Sequence, residues 1–154
     1  MKILVTGASG NVGLEVLKAL QTLQAPIEVL GATRDVVQDG PIFAALGAKP
    51  VFFDFLKPDS AESAFEQIDV LFLLRPPQLS DARLYFAPLI ETAKRKKIQH
   101  IVFLSVQGAE QSSLILHHKI EDLILESGMP YTFLRPAYFM QNFTTTLLHD
   151  IIYR

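Results

Sequence analysis

Three glycines spaced three residues apart, in Thr6-Gly7-Ala8-Ser9-Gly10-Asn11-Val12-Gly13, stand between the chain's first apolar run and its first amphipathic segment. The run Ile3-Leu4-Val5 reads as a short buried strand. Val12, Val16, Leu17, Leu20 and Leu23 then recur at three- and four-residue steps, the spacing of one helix face. A strand that turns straight into a helix needs these glycines for separate reasons. Gly7 permits the tight turn, Gly10 leaves bare backbone for a phosphate to approach, and Gly13 lets the helix lie close on the sheet. The helix start also offers unbonded amides and the positive end of its dipole. Glycines at this spacing are weak evidence alone. Their place after a chain-initial strand and before a helix makes them a phosphate-binding turn, with Ser9, Asn11 and Val12 as further contacts.

The same alternation runs to the end of the chain. Pro26 stops the first helix, and Ile27 to Thr33 reads as a second strand. Gly40-Pro41 is expected to open a short helix through Leu46, closed by Gly47. Val51-Phe52-Phe53 is a third strand, and Ser60 is expected to cap a helix carrying Ala61, Ala64 and Phe65. Val70 to Leu74 is a fourth strand, ended by Pro76-Pro77. Asp81 caps a long helix whose inner face is Leu84, Tyr85, Pro88, Leu89 and Ala93, with Pro88 either kinking it or moving its start downstream. His100 to Leu104 is a fifth strand. Leu116, Ile120, Leu123 and Ile124 mark a fifth helix stopped by Gly128, Tyr131 to Leu134 is a sixth strand, and residues after Asn142 read as a further helix.

Strands alternating with helices over short connections predict an α/β fold: a doubly wound parallel sheet in a three-layer sandwich, order 3-2-1-4-5-6. The strands are apolar almost throughout, as burial on both sheet faces requires. Ligand is then expected at the carboxyl ends of strands one and four, where the order reverses.

Composition narrows the function. A net charge of −2 gives no basic field for nucleic acid, and the cluster Lys94-Arg95-Lys96-Lys97 reads as a solvated helix C-terminus. The absence of cysteine removes disulfides, thiolate metal sites and a cysteine nucleophile, and fits a cytoplasmic protein. No stretch approaches the roughly 18 apolar residues of a membrane span. No metal-ligand spacing, carboxylate pair or Ser-His-Asp ordering stands out, so no metal is expected.

The second strand selects the cofactor. NAD-binding sheets of this kind carry an acidic residue there for the ribose hydroxyls. Here the strand ends Gly31-Ala32-Thr33-Arg34, and the forked donors of a guanidinium suit a 2'-phosphate. NADP(H) is therefore expected over NAD(H), the alternative being that Arg34 pairs with Asp35. Asp54, just past the third strand, is placed either for the adenine amino group or to cap the next turn.

Taken together, these residues resemble the NmrA-like, atypical short-chain dehydrogenase/reductase family of NAD(P)-binding Rossmann-fold proteins. The match lies in Val5 to Gly13, Ala32-Thr33-Arg34, Asp54-Phe55, Leu73 to Pro77, Phe103-Leu104-Ser105, His118 to Glu121, Ser127 to Pro136 and Phe139 to Asn142. The resemblance implies that Thr33 and Arg34 bind the adenosine phosphate side and that Leu74, Arg75 and Pro76 line the cofactor. Ser105 and the segment Pro136 to Phe139 would approach the nicotinamide, and Lys119 looks like the lysine that some relatives place near the nicotinamide ribose, the one candidate catalytic residue. It also implies a function: reduction of quinones, dyes or phenolic compounds, or sensing of NADP(H) without turnover.

Two departures qualify this. Short-chain dehydrogenases of the main type use Tyr-x-x-x-Lys, yet four residues before Lys119 stands Ile115. Hydride transfer to a delocalised, quinone-like or azo acceptor needs less acid assistance and stays open. His117 and His118 are read as surface or capping residues, with proton supply as the alternative. Family members also continue past this length. Residues 1–154 are therefore expected to be one NAD(P)-binding domain, a fragment or shortened form without the carboxyl-terminal substrate lobe. Three functions follow: an NADP(H)-dependent reductase of a small acceptor, a redox sensor with a regulatory protein partner, or a domain that does neither and self-associates through Leu147, Leu148, Ile151 and Ile152.

Overall fold

The computed structural model describes residues 1–137, 139, 140 and 152 of the chain. Six parallel strands form one sheet in the order β3-β2-β1-β4-β5-β6, as the alternation predicts. They are β1 (Lys2–Val5), β2 (Glu28–Thr33), β3 (Ala48–Phe52), β4 (Val70–Leu73), β5 (His100–Leu104) and β6 (Tyr131–Leu134). The crossovers carry α1 (Asn11–Gln21), α2 (Val36–Ala45), α3 (Ser60–Ala64), α4 (Ala82–Arg95) and α5 (Leu116–Ser127), with one 3-10 turn at Ala109–Gln111.

The two-residue period of a strand sends alternate side chains to opposite sheet faces, and β1 shows the result. Ile3 and Val5 join Leu17 of α1 and Phe43 of α2 in one apolar layer. Leu4, between them, joins Phe65, Phe86, Ile90, Ile120 and Ile124 in the other, under α4 and α5. Gly31 serves the first layer: a Cβ there would meet the Phe43 ring at 2.6 Å.

Element boundaries depart from the sequence expectation where a side chain outcompetes a turn signal. α2 starts at Val36, because the Asp35 carboxylate accepts from the amides of Val37 and Gln38, and Gly40-Pro41 lies inside the helix. Ser60 does not cap α3 but is its first residue. Its hydroxyl accepts from the Asp54 amide and donates to the Asp54 carbonyl, tying down the loop after β3. β3 begins at Ala48 and contains Pro50, which an outermost strand tolerates. α4 starts directly after Asp81, which accepts from the Leu84 amide, and runs through Pro88. Its buried face is Ala82, Phe86, Leu89, Ile90 and Ala93, whereas Leu84 is exposed. The basic cluster closes α4, where Arg95 pairs with Glu62, and Lys96 with Glu62 and Glu66. The helix expected after Asn142, with Leu147, Leu148 and Ile151, lies outside the described residues. No helix among the described residues is long and apolar enough to cross a membrane.

Candidate functional site

Where β1 and β4 part to opposite halves of the sheet, a cleft of about 860 Å³ opens along their carboxyl ends. Thr6 pins the two strand ends together: its amide donates to the Phe72 carbonyl at 2.9 Å, while its buried hydroxyl accepts from the Leu74 amide at 2.7 Å and donates to the Leu74 carbonyl at 3.2 Å.

The floor is the glycine turn. Gly7 adopts φ +59, a left-handed conformation that suits glycine, and its carbonyl accepts from the Gly10 amide at 3.0 Å. Gly13 presses on that turn so closely that a Cβ would stand 2.2 Å from the Gly7 carbonyl oxygen. Gly10 is the N-cap of α1 and brings no side chain to it, so the first-turn amides face the cleft without an intrahelical partner. A row of free amides at a positive helix end, unobstructed by side chains, fits a pyrophosphate.

At the β2 end, Arg34 is exposed on the rim of the cleft. The neighbour that stood as its alternative partner is committed elsewhere, since Asp35 caps α2, and no ion pair joins the two among the described residues. The Thr33 hydroxyl is equally committed: it donates to the buried Asp39 carboxylate and accepts from the Asp35 amide at 3.0 Å. Thr33 thus shapes the turn that presents Arg34. Asp54 takes the capping option, with Oδ1 accepting from the Leu56 amide at 3.0 Å, and still lines the cleft beside Phe55.

At the other end, Arg75 folds back on its own loop. One of its terminal nitrogens donates to the carbonyls of Pro76, Pro77 and Leu79, each at 3.1 Å, and its Nε donates to His117 Nε2 at 3.4 Å. Partial burial lowers the Arg75 pKa from its ordinary value. Ser105 is buried and lines the cleft, with its hydroxyl beside the Glu121 carboxylate. Beneath it Arg135 grips Glu121 with two bonds, at 3.0 and 2.7 Å. Burial works against the Glu121 charge, but the Arg135 contact outweighs it and the carboxyl titrates below its ordinary range.

Of the residues named from the sequence, Gly7, Ser9, Gly10, Asn11, Val12, Gly13, Thr33, Arg34, Asp54, Phe55, Leu74, Arg75, Pro76, Ser105, Pro136 and Phe139 all line this one cleft. Lys119 does not. It is exposed and lines a separate groove of about 510 Å³ with Asp81, Arg83, Asp122 and Glu126. The helical repeat explains the correction: at about 100° per residue, positions 117 and 119 point to nearly opposite sides of α5. His117 takes the cleft side, half-buried, its ring stacked 5.9 Å from Phe103. The surface reading of His117 is therefore overturned. Its signal was its place beside the buried stripe of Ile120 and Ile124. His118 is a capping residue, with Nδ1 against the Ala109 carbonyl at 3.0 Å and Nε2 3.3 Å from Asp122. Phe53, Leu104 and Val106 also line the cleft, as plain strand-end residues that no motif singles out.

Similarity to known proteins agrees with this geometry. Prestalk A differentiation protein A of Dictyostelium discoideum is 36% identical over 154 residues, covering 98% of this chain and 50% of its own length. NAD(P)H azoreductase of Xenophilus azovorans is 31% identical over 144 residues, covering 91% of this chain and 49% of its own. The crystal structure of the Citrobacter sp. triphenylmethane reductase complexed with NADP(H) superposes with a TM-score of 0.80 at 26% identity, covering 97% of this chain and 54% of that one. The chain thus spans about half the length of these relatives. With the NmrA-like family model matching residues 1–151, across every segment that builds the cleft, the chain belongs to the NmrA-like family.

Proposed function

We propose that the cleft binds NADP(H) and that the chain serves a reductase that passes hydride to a small quinone-like or azo-type acceptor. The observation that carries this is the pairing of a bare α1 N-terminus with Arg34 on the rim at the adjoining strand end, where Asp35 is committed to capping α2. The pyrophosphate would lie on the amides of Asn11 to Gly13, the 2'-phosphate against Arg34, and the nicotinamide toward Ser105, Pro136 and Phe139. When bound, the cofactor supplies a hydride; the chain's own residues bind it and orient it at the strand ends. The named activities of the azoreductase and the NADP(H)-complexed triphenylmethane reductase support this reading. Ile115, half-buried at the N-cap of α5, supplies no acid, so an acceptor that delocalises charge suits the site better than a simple ketone.

NADPH oxidation followed by absorbance, with quinones and azo dyes as acceptors, tests the proposal. Turnover that requires NADPH supports it, and silence across both acceptor classes counts against it. The missing tyrosine also favours a second reading, a redox sensor that reports to a protein partner. That reading expects unequal affinities for the oxidised and reduced cofactor without turnover, and equal affinities would remove its basis.

A further inference from the structure

His117 joins the cleft from the first turn of α5, and the sequence motifs do not account for it. Its surroundings decide its protonation. An arginine Nε can only donate, so the bond from Arg75 Nε at 3.4 Å requires a lone pair on His117 Nε2 and places the ring proton on Nδ1. Arg75 is not free to swing away, because three carbonyls of the β4–α4 loop hold its guanidinium. Among the described residues Nδ1 has no partner. The groups facing the ring are Arg75 from that loop, Phe103 from β5 and Glu121 one turn further along α5. Burial and the Arg75 charge push the His117 pKa down, against a smaller opposing effect of Glu121.

We infer that His117 is a catalytic hydrogen-bond donor: its neutral ring, fixed by Arg75 as the Nδ1–H tautomer, donates to the acceptor oxygen that becomes negative on hydride transfer. The inference rests on the reductase reading and names the residue that stands in for the absent tyrosine. The balance is simple. Hydride from the reduced cofactor carries two electrons and one proton to the acceptor, leaving oxidised cofactor and an acceptor oxyanion. His117 keeps its proton throughout, because a neutral imidazole is too weak an acid to release it, and solvent supplies the second proton once the product leaves. An acceptor whose oxyanion is already delocalised, as in a hydroquinone, is the class such a donor serves. A preplaced donor of this kind contributes about 100-fold in rate.

Two measurements test this separately. Nitrogen-15 NMR of histidine-labelled protein reads the tautomer directly, and the signals missing in His117→Leu assign it among the four histidines. The expected result is a neutral Nδ1–H ring at about pH 7, titrating below the ordinary value of about 6.5. An Nε2–H ring or an imidazolium there overturns the inference. In turnover with a quinone, His117→Leu should lower kcat about 100-fold with NADPH affinity unchanged. His117→Asn, whose amide N–H stands where Nδ1–H stood, should recover most of it. Wild-type kcat should stay level from about pH 7 to 9, since no imidazolium is consumed. Unchanged kcat in the leucine variant overturns the role, as does a wild-type rate that falls above neutral pH and loses that dependence in His117→Leu. Absence of turnover in the wild type would sink the reductase reading and the catalytic role together, while the tautomer stands or falls by NMR.

Discussion

Gly10 and Gly13 sit three residues apart in one turn and do different work. At Gly13 a Cβ would stand 2.2 Å from one backbone atom and 2.6 Å from another, so the turn or α1 must move. Gly13→Ala is expected to cost about 3 kcal/mol by overpacking, a fall of roughly 6–12 °C in melting temperature for a domain of this size. A melting temperature within about 2 °C of wild type would show that the turn yields easily. Gly10 has an ordinary φ of −82, and a Cβ there would stand 3.3 Å from the Gly7 carbonyl oxygen, a tight contact that a small shift of the turn relieves. Gly10→Ala should therefore fold with a loss under about 1 kcal/mol, yet weaken NADPH about tenfold or more, because the methyl occupies the phosphate's approach. Calorimetry and cofactor titration on the same two proteins separate the roles. Both glycines are legible in the sequence as a spacing, and only the backbone shows which is fold and which is ligand.

At the scale of elements, the sequence placed strands more surely than helix faces and ends. β1, β2, β4, β5 and β6 each carry a short apolar run between turn residues, a local signal. The start of α2 depends on which neighbour the Asp35 carboxylate chooses. Arg34 and the two helix amides both compete for it, and local spacing does not rank them. The inner face of α4 turns on a rotation of about 100°: Phe86 and Ile90 face the core and Leu84 does not, because α5 packs on that side. Lys119 is implied by the family resemblance alone; the helical repeat turns His117 to the cleft and Lys119 away from it. Asp35→Ala tests the α2 assignment. Losing this N-cap should cost about 1 kcal/mol, and because Asp35 is not bonded to Arg34, NADPH affinity should stay within about twofold. A stability change near zero would mean that the cap contributes nothing to α2.

Across the whole molecule, two apolar layers fix the sheet and leave its functional end held by polar contacts. Thr6 spans the strand ends, Arg75 gathers the β4–α4 loop, and the Arg135–Glu121 pair ties the end of β6 to α5. The last of these makes stability pH-dependent. The Glu121 pKa is depressed in the folded chain, so its contribution is present above the unfolded value of about 4.3 and is lost as pH falls through the folded value. Glu121→Gln should be less stable than wild type at about pH 7 by roughly 2 kcal/mol, less than a fully buried pair because Arg135 keeps contact with solvent. The gap should narrow progressively below about pH 4, as read by denaturant unfolding at each pH. A gap that holds constant down to the acid limit would mean that the carboxylate charge is not what binds Arg135.

The proposed grip on NADP(H) rests on the bare helix end and on Arg34. Titration of the chain and of Arg34→Ala with NADPH and with NADH, followed by cofactor fluorescence, tests it most directly. The chain should prefer NADPH, and Arg34→Ala should lose about 10- to 100-fold for NADPH, the worth of a charge-assisted contact, while NADH is nearly unaffected. Failure to bind either cofactor, or equal weakening of both in the variant, would contradict it.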